Sequence, residues 1–188
     1  MIAEREKQEV IERTKRWISS FVIGLNLCPF AGRVFQADRI RYAVTGAADE
    51  ESLREDLTRE LLFLAAPQAS VETTLLIHPC VLSDFLSYND FLEVGERLLR
   101  RLGLQGVIQI ASFHPAYQFA GTEVDTVENY SNRSPYPMLH LLCEESITAI
   151  AGDPDELAEI PRRNAETLRR LGKEKVLGML EELQDSSP

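Results

Sequence analysis

From Glu4 to about Asn26, the apolar residues Val10, Trp17, Ile18, Phe21, Val22 and Leu25 recur at helical spacing, with polar residues opposite. That pattern predicts an amphipathic helix, closed by the proline and glycine of CPFAGRVFQ. RIRYAVT, Arg39 to Thr45, alternates and is rich in β-branched and aromatic residues, so it reads as a strand. A helix is expected from Asp49 to about Ala66, stopped before Pro67, and VETTLLIHP follows as a second strand. Asn89 to Leu102 carries Phe91, Val94, Leu98 and Leu102 on one face and ends at Gly103, a helix with its stop signal. GVIQIASF, Gly106 to Phe113, is the third strand and the most apolar.

This α-β-α-β-α-β order predicts an α/β fold: one domain with a small three- to four-stranded sheet that contains parallel pairs packed by helices. Next comes a long polar segment, Pro115 to Pro137, without a period; a loop of that length in a compact domain points to function or to a missed element. A helix is expected over Met138 to Glu145. SITAIAG, Ser146 to Gly152, reads as a fourth, edge strand or as the end of that helix. GDPDELAEI starts another helix, with Asp153 as N-cap, Pro154 at the first position and Glu156 three residues after the cap. Pro161 kinks or restarts it, Gly172 ends the next piece, and Lys173 to Gln184 forms a short amphipathic tail. No repeat, low-complexity tract or linker divides residues 1–188.

Charge and cysteine content narrow the function classes. A net charge of −10 over 188 residues disfavours a general nucleic-acid binder and an anionic membrane surface. No apolar run reaches the length of a membrane span, and the charged start MIAEREKQEV lacks a signal-peptide core, so a cytoplasmic protein is the simplest expectation. Three cysteines without CxxC spacing fit free thiols better than disulfides or a zinc ribbon. Nothing in the pattern sets an oligomeric state.

Two strands end in the same dipeptide: His78-Pro79 in LLIHPC and His114-Pro115 in SFHPAYQ. If the second and third strands are parallel neighbours, both imidazoles leave one sheet edge, where open α/β sheets bind ligands. His78 and His114 are then candidate ligands for zinc or iron, with His140, Cys28 or Asp125 completing the shell. Without a metal, His114 or His140 is a candidate base and Cys28 a candidate nucleophile. Cys28 follows the carboxyl end of a helix, which disfavours the thiolate, and simple packing is its alternative. Cys80 lies two residues past His78, while Cys143 reads as packing. In ENYSNRSPYPMLHLL, Arg133 is placed to grip a carboxylate or phosphate of a small anionic substrate, with Asn129, Asn132 and Ser134 beside it. Ser134 also reads as the N-cap of the helix expected at Met138. Asp125 and Glu128 could supply an acid or base, and ordinary turn and cap roles are the alternatives throughout. A third class remains beside the two enzyme readings: a non-catalytic module that uses the polar loop to bind a ligand or partner.

GLNLCPFA, FHPAYQFAGT, ENYSNRSPYPMLHLL and IPRRNAETLRRLG together resemble a bacterial family known as domain of unknown function 1415, over about residues 11–172. The resemblance implies no activity, cofactor or substrate. The family pattern has arginine where this chain has Cys143, which speaks against a role for that thiol.

Overall fold

A computed structural model describes residues 2–67, 69–146 and 157–185. Helix α1 (Glu4–Trp17) runs on into a π-helical turn (Ile18–Ile23), and a short helix α2 (Ala31–Gln36) follows. Strand β1 (Ile40–Val44), helix α3 (Glu50–Leu64) and strand β2 (Thr73–Ile77) then alternate, followed by helix α4 (Phe85–Leu102) and strand β3 (Ile108–Phe113). A 3-10 turn (Val127–Ser131) lies inside the long loop before strand β4 (Met138–Cys143), and helices α5 (Ile160–Leu171) and α6 (Lys173–Asp185) close the described chain.

The four strands form one sheet in the order β1-β2-β4-β3. β1 and β2 are parallel, whereas β4 lies antiparallel between β2 and β3. The second and third strands are therefore not neighbours, as the element order alone suggested. They still point the same way, so His78 and His114 do leave one edge, on either side of the start of β4.

Residues Met138 to Cys143 form a strand where a helix was expected. MLHLLC is apolar on both faces because β4 is sandwiched between two strands and two helical layers, and such a run has no strand period to read. Ser134 consequently caps no helix; its hydroxyl donates to the Tyr136 carbonyl at 2.7 Å. Helix α4 begins four residues before the expected Asn89, because Asp84 is its N-cap and accepts from the Ser87 amide (2.9 Å) and hydroxyl (2.9 Å). α5 opens with Pro161 in its first turn, the restart expected there, and Gly172 ends it. The expected edge strand at 146–152 and the helix start at Asp153 fall in or across residues 147–156, outside the described residues.

Helices α3 and α4 cover one face of the sheet, burying Leu53, Leu57 and Leu61 of α3 and Phe91 and Leu98 of α4 against Leu76, Leu139 and Leu141. α1, the π turn, α5 and α6 cover the other, with Trp17, Phe21, Leu168 and Val176 against Leu75, Ile77 and Met138. All five residues of β2 are buried, as a central strand between two layers requires. Arg41 of β1 holds Glu60 of α3 through Nε (2.7 Å) and Nη2 (3.1 Å), fixing that helix to the sheet edge.

Candidate functional site at the strand ends

The twin His-Pro dipeptides build matching turns. The His78 carbonyl accepts from the Val81 amide (3.4 Å), and the His114 carbonyl accepts from the Tyr117 amide (3.1 Å). Each proline occupies the second position of its turn, where its fixed φ is preorganised. Both imidazoles then reach the same short segment. His78 Nδ1–H donates to the Val81 carbonyl (3.0 Å), and His114 Nε2–H donates to the adjacent Leu82 carbonyl (3.1 Å). Leu82 has φ = 57°, a left-handed conformation that costs a non-glycine residue about 1–2 kcal/mol, and the two histidines hold the carbonyls on either side of it.

Tyr88 of α4 stands between the histidines, its ring centroid 5.9 Å from His78 and 5.0 Å from His114. Its hydroxyl accepts from the Phe113 amide (3.0 Å) and donates to the Met138 carbonyl (2.9 Å), bridging the ends of β3 and β4. Phe85 and Tyr117 pack onto the same aromatic group. The loop residues complete the cap. Asn129, fully buried, accepts from the Phe119 amide (2.9 Å) and the Thr122 hydroxyl (2.9 Å) and donates to the carbonyls of Glu123 (2.9 Å) and Val124 (3.2 Å). Asn132 donates to Ser112 O (3.1 Å) and accepts from the His114 amide (3.2 Å). These residues, expected to bind substrate, use their polar groups to fold the loop.

Arg133 has no carboxylate partner among the described residues. Nε donates to Tyr117 O (3.1 Å), Nη2 donates to Val124 O (2.7 Å), and the guanidinium lies 4.2 Å from the Tyr130 ring centroid. Asp125 is exposed at the rim and pairs with Lys173 (3.3 Å), and Glu128 pairs with Arg169.

Burial sets the protonation of the histidines. Desolvation pushes His78 down to about 4, with the neighbouring His114 adding in the same direction against the Val81 hydrogen bond. His114 is also lowered by burial, while Leu82 and Asp84 pull it back up. His114 has both ring nitrogens engaged, since Nδ1 accepts from the Ala116 amide at 3.0 Å. His78 does not: its Nε2 is buried and has no hydrogen-bond partner, although the residue is wholly inaccessible.

The remaining candidates lie apart. His140 sits on the opposite face of the sheet, where its Nε2–H donates to Thr73 Oγ1 (2.6 Å), whose own proton goes to Leu141 O (2.7 Å). Burial lowers it to about 4. Cys28 lies just before α2; burial raises its thiol against two backbone N–H contacts, from Phe30 and Ala31, and no hydrogen bond joins it to a histidine. Cys80 is exposed, and Cys143 packs half-buried against the α3–α4 core, raised chiefly by burial. Among the described residues, no three side chains of His, Cys, Asp or Glu gather at one point. A cleft of about 440 Å³ lies elsewhere, between α3 and α4, lined by Arg54, Phe91, Leu98 and Arg101. Its lining includes none of the strand-end residues, so its size says nothing about the histidines.

Sequence reasoning missed Tyr88 and Leu82. Tyr88 falls one turn before Phe91 on the apolar face of α4, just ahead of the helix start expected at Asn89; its hydroxyl was the available signal.

The fold and cap define a single α/β domain with a mixed four-stranded sheet and a tightly hydrogen-bonded polar cap at one edge. The chain belongs to the family described as Protein of unknown function (DUF1415), whose model matches residues 9–177. No curated protein and no solved structure matches it. No helix among the described residues is long and apolar enough to cross a membrane.

Proposed function

We propose that the protein binds a small anionic molecule at this sheet edge, acting in the bacterial cytoplasm, with His78 Nε2 accepting a hydrogen bond from the ligand and Arg133 supplying positive charge at the rim. The observation that carries the reading is the contrast inside the cap. Asn129, His114 and Tyr88 have their polar groups satisfied, yet Nε2 of the wholly buried His78 is left without a partner. A buried polar atom without a partner costs about 1–3 kcal/mol, so a group that meets it gains that much. A neutral imidazole is an acceptor, so the contact is with an O–H or N–H of the ligand. Binding is favoured over catalysis because His78, held at about 4, is a weak base and Cys28 has no histidine partner. Free thiols at all three cysteines support the cytoplasmic setting.

The same free nitrogen supports a second reading, a zinc or iron site in which His78 Nε2 is the first ligand and His114 gives up one of its two hydrogen bonds to join it. A thermal-shift screen tests both. Wild type and His78→Leu are scanned against small hydroxy and amino acids, and separately against zinc and ferrous iron. Stabilisation by an organic acid that His78→Leu loses supports the ligand reading. Stoichiometric metal uptake lost in His78→Leu and His114→Ala supports the metal reading. Ligands that stabilise both proteins equally refute both.

A further inference from the structure

Helix α1 carries a second set of unmatched groups, on the other face of the sheet. Arg13 Nε, Arg16 Nε and Trp17 Nε1 are all buried, and none has a hydrogen-bond partner. Trp17 is only 2% exposed. At about 100° per residue, positions 13, 16 and 17 span roughly 100° of the helix surface, so the three donors share one side.

Three of the four acids of α1 are already committed to other cations. Glu4 pairs with Lys7, Glu9 with Arg5 and Glu12 with Lys15, at 3.6, 3.2 and 3.3 Å. Elsewhere Arg54, Arg97, Arg162 and Arg169 each hold a glutamate. Arg13 and Arg16 have no carboxylate partner among the described residues, although the chain carries a net charge of −10.

Aromatic contacts fix where this side of the helix lies. The Arg13 guanidinium sits 5.7 Å from the Tyr136 ring centroid, and the Trp17 indole meets Phe113 edge-on at 5.5 Å. Phe113 pairs with Met138 in the β3–β4 ladder, and Tyr136 is two residues upstream of Met138. The donors therefore stand at the same strand ends as the histidine cap, across the sheet from it. The helix also changes to π geometry at Ile18, directly after Trp17, and π turns recur at functional sites.

We propose that Arg13, Arg16 and Trp17 form a subsite for a small oxyanion, a carboxylate or phosphate group. Two guanidinium groups supply charge and N–H donors to its oxygens, and the indole N–H supplies a further donor. The oxyanion meets donors that otherwise carry a desolvation cost and balances two unpaired charges. The histidine cap and this subsite do not depend on one another.

Trp17 is the only tryptophan, so its emission reads this site alone. The wild-type protein is titrated with inorganic phosphate and, separately, with succinate, at ionic strength held constant with chloride. A saturable change in Trp17 emission is expected with at least one of them, and the tighter of the two identifies the head group. Arg13→Gln and Arg16→Gln are expected to weaken it at least about tenfold, the effect of losing one charge-assisted hydrogen bond. Arg101→Gln, on the far side of the molecule, should leave it unchanged, and circular dichroism checks that each variant is folded. Three results would overturn the proposal: a linear response in wild type, a saturable response that both α1 variants retain, or an equal loss in Arg101→Gln. If either α1 variant fails to fold, Arg13→Lys replaces it, keeping the charge while losing the Nε donor, and is expected to bind more weakly than wild type.

Discussion

Replacing Tyr88 by phenylalanine isolates the hydrogen bonds that tie the cap together. The ring that packs on His78 and His114 is retained, and only the hydroxyl between Phe113 N–H and Met138 C=O is lost. Both backbone groups then lack that partner. Phe113 and Met138 face each other in the β3–β4 ladder, so their N–H and C=O can meet once the hydroxyl is gone, and the loss is that of one buried hydrogen bond, about 0.5–1.5 kcal/mol. Phe113 is half-buried, and water can meet part of the need of its amide. The expected loss is about 1 kcal/mol, which for a domain of this size lowers the melting temperature by about 2–4 °C. Urea denaturation followed by circular dichroism gives the free energy, and the slope of the transition checks that both proteins unfold alike. A loss below about 0.5 kcal/mol, within the range of ordinary surface substitutions, would refute the bridging role.

Further expectations concern the loop, the π turn and the acid limb. Asn129→Leu strands the Phe119 amide, whereas Val124 O keeps Arg133 and Glu123 O keeps the Thr126 amide. It should cost about 1–3 kcal/mol and speed amide exchange in residues 115–137, and unchanged exchange would count against it. Gly24→Ala, ordinarily favourable in a helix, should destabilise because the new Cβ collides with the Ser20 carbonyl oxygen; a gain in melting temperature would contradict this. His78 and His140 are held at about 4, below the usual 6.5. The unfolded chain therefore binds protons first, so stability is full above about pH 6.5 and declines toward pH 4, by at most about 3 kcal/mol per histidine. Urea midpoints measured against pH should show a shallower acid limb in His140→Gln, and an identical slope would refute the assignment for that residue.

How much was legible follows from what a linear pattern can carry. β1, β2 and β3 stand out because turn residues bound them and their apolar runs are short. β4 does not, because a strand buried on both faces loses its alternation and the two prolines before it imitate a helix start. Its insertion between β2 and β3 is a long-range pairing with no local signature. The matched His-Pro dipeptides were visible, and so was their common edge. Their shared task, holding the two carbonyls around a left-handed Leu82, was not, because hydrogen-bond satisfaction exists only in three dimensions. The same holds for Asn129 and Asn132, whose residue types suit recognition equally well. Arg13, Arg16 and Trp17 were hidden inside a regular amphipathic pattern. Only the pairing of their acidic neighbours with other cations sets them apart.

The central claim concerns one nitrogen atom, and long-range proton–nitrogen NMR of the His78 ring tests it most directly. The account predicts an Nδ1–H tautomer, since Nδ1 donates to Val81 O, and a bare Nε2 whose resonance moves on addition of an organic acid that raises the melting temperature. A protonated Nε2 in the free protein, or an Nε2 resonance that stays still while such a ligand saturates the protein, would contradict it.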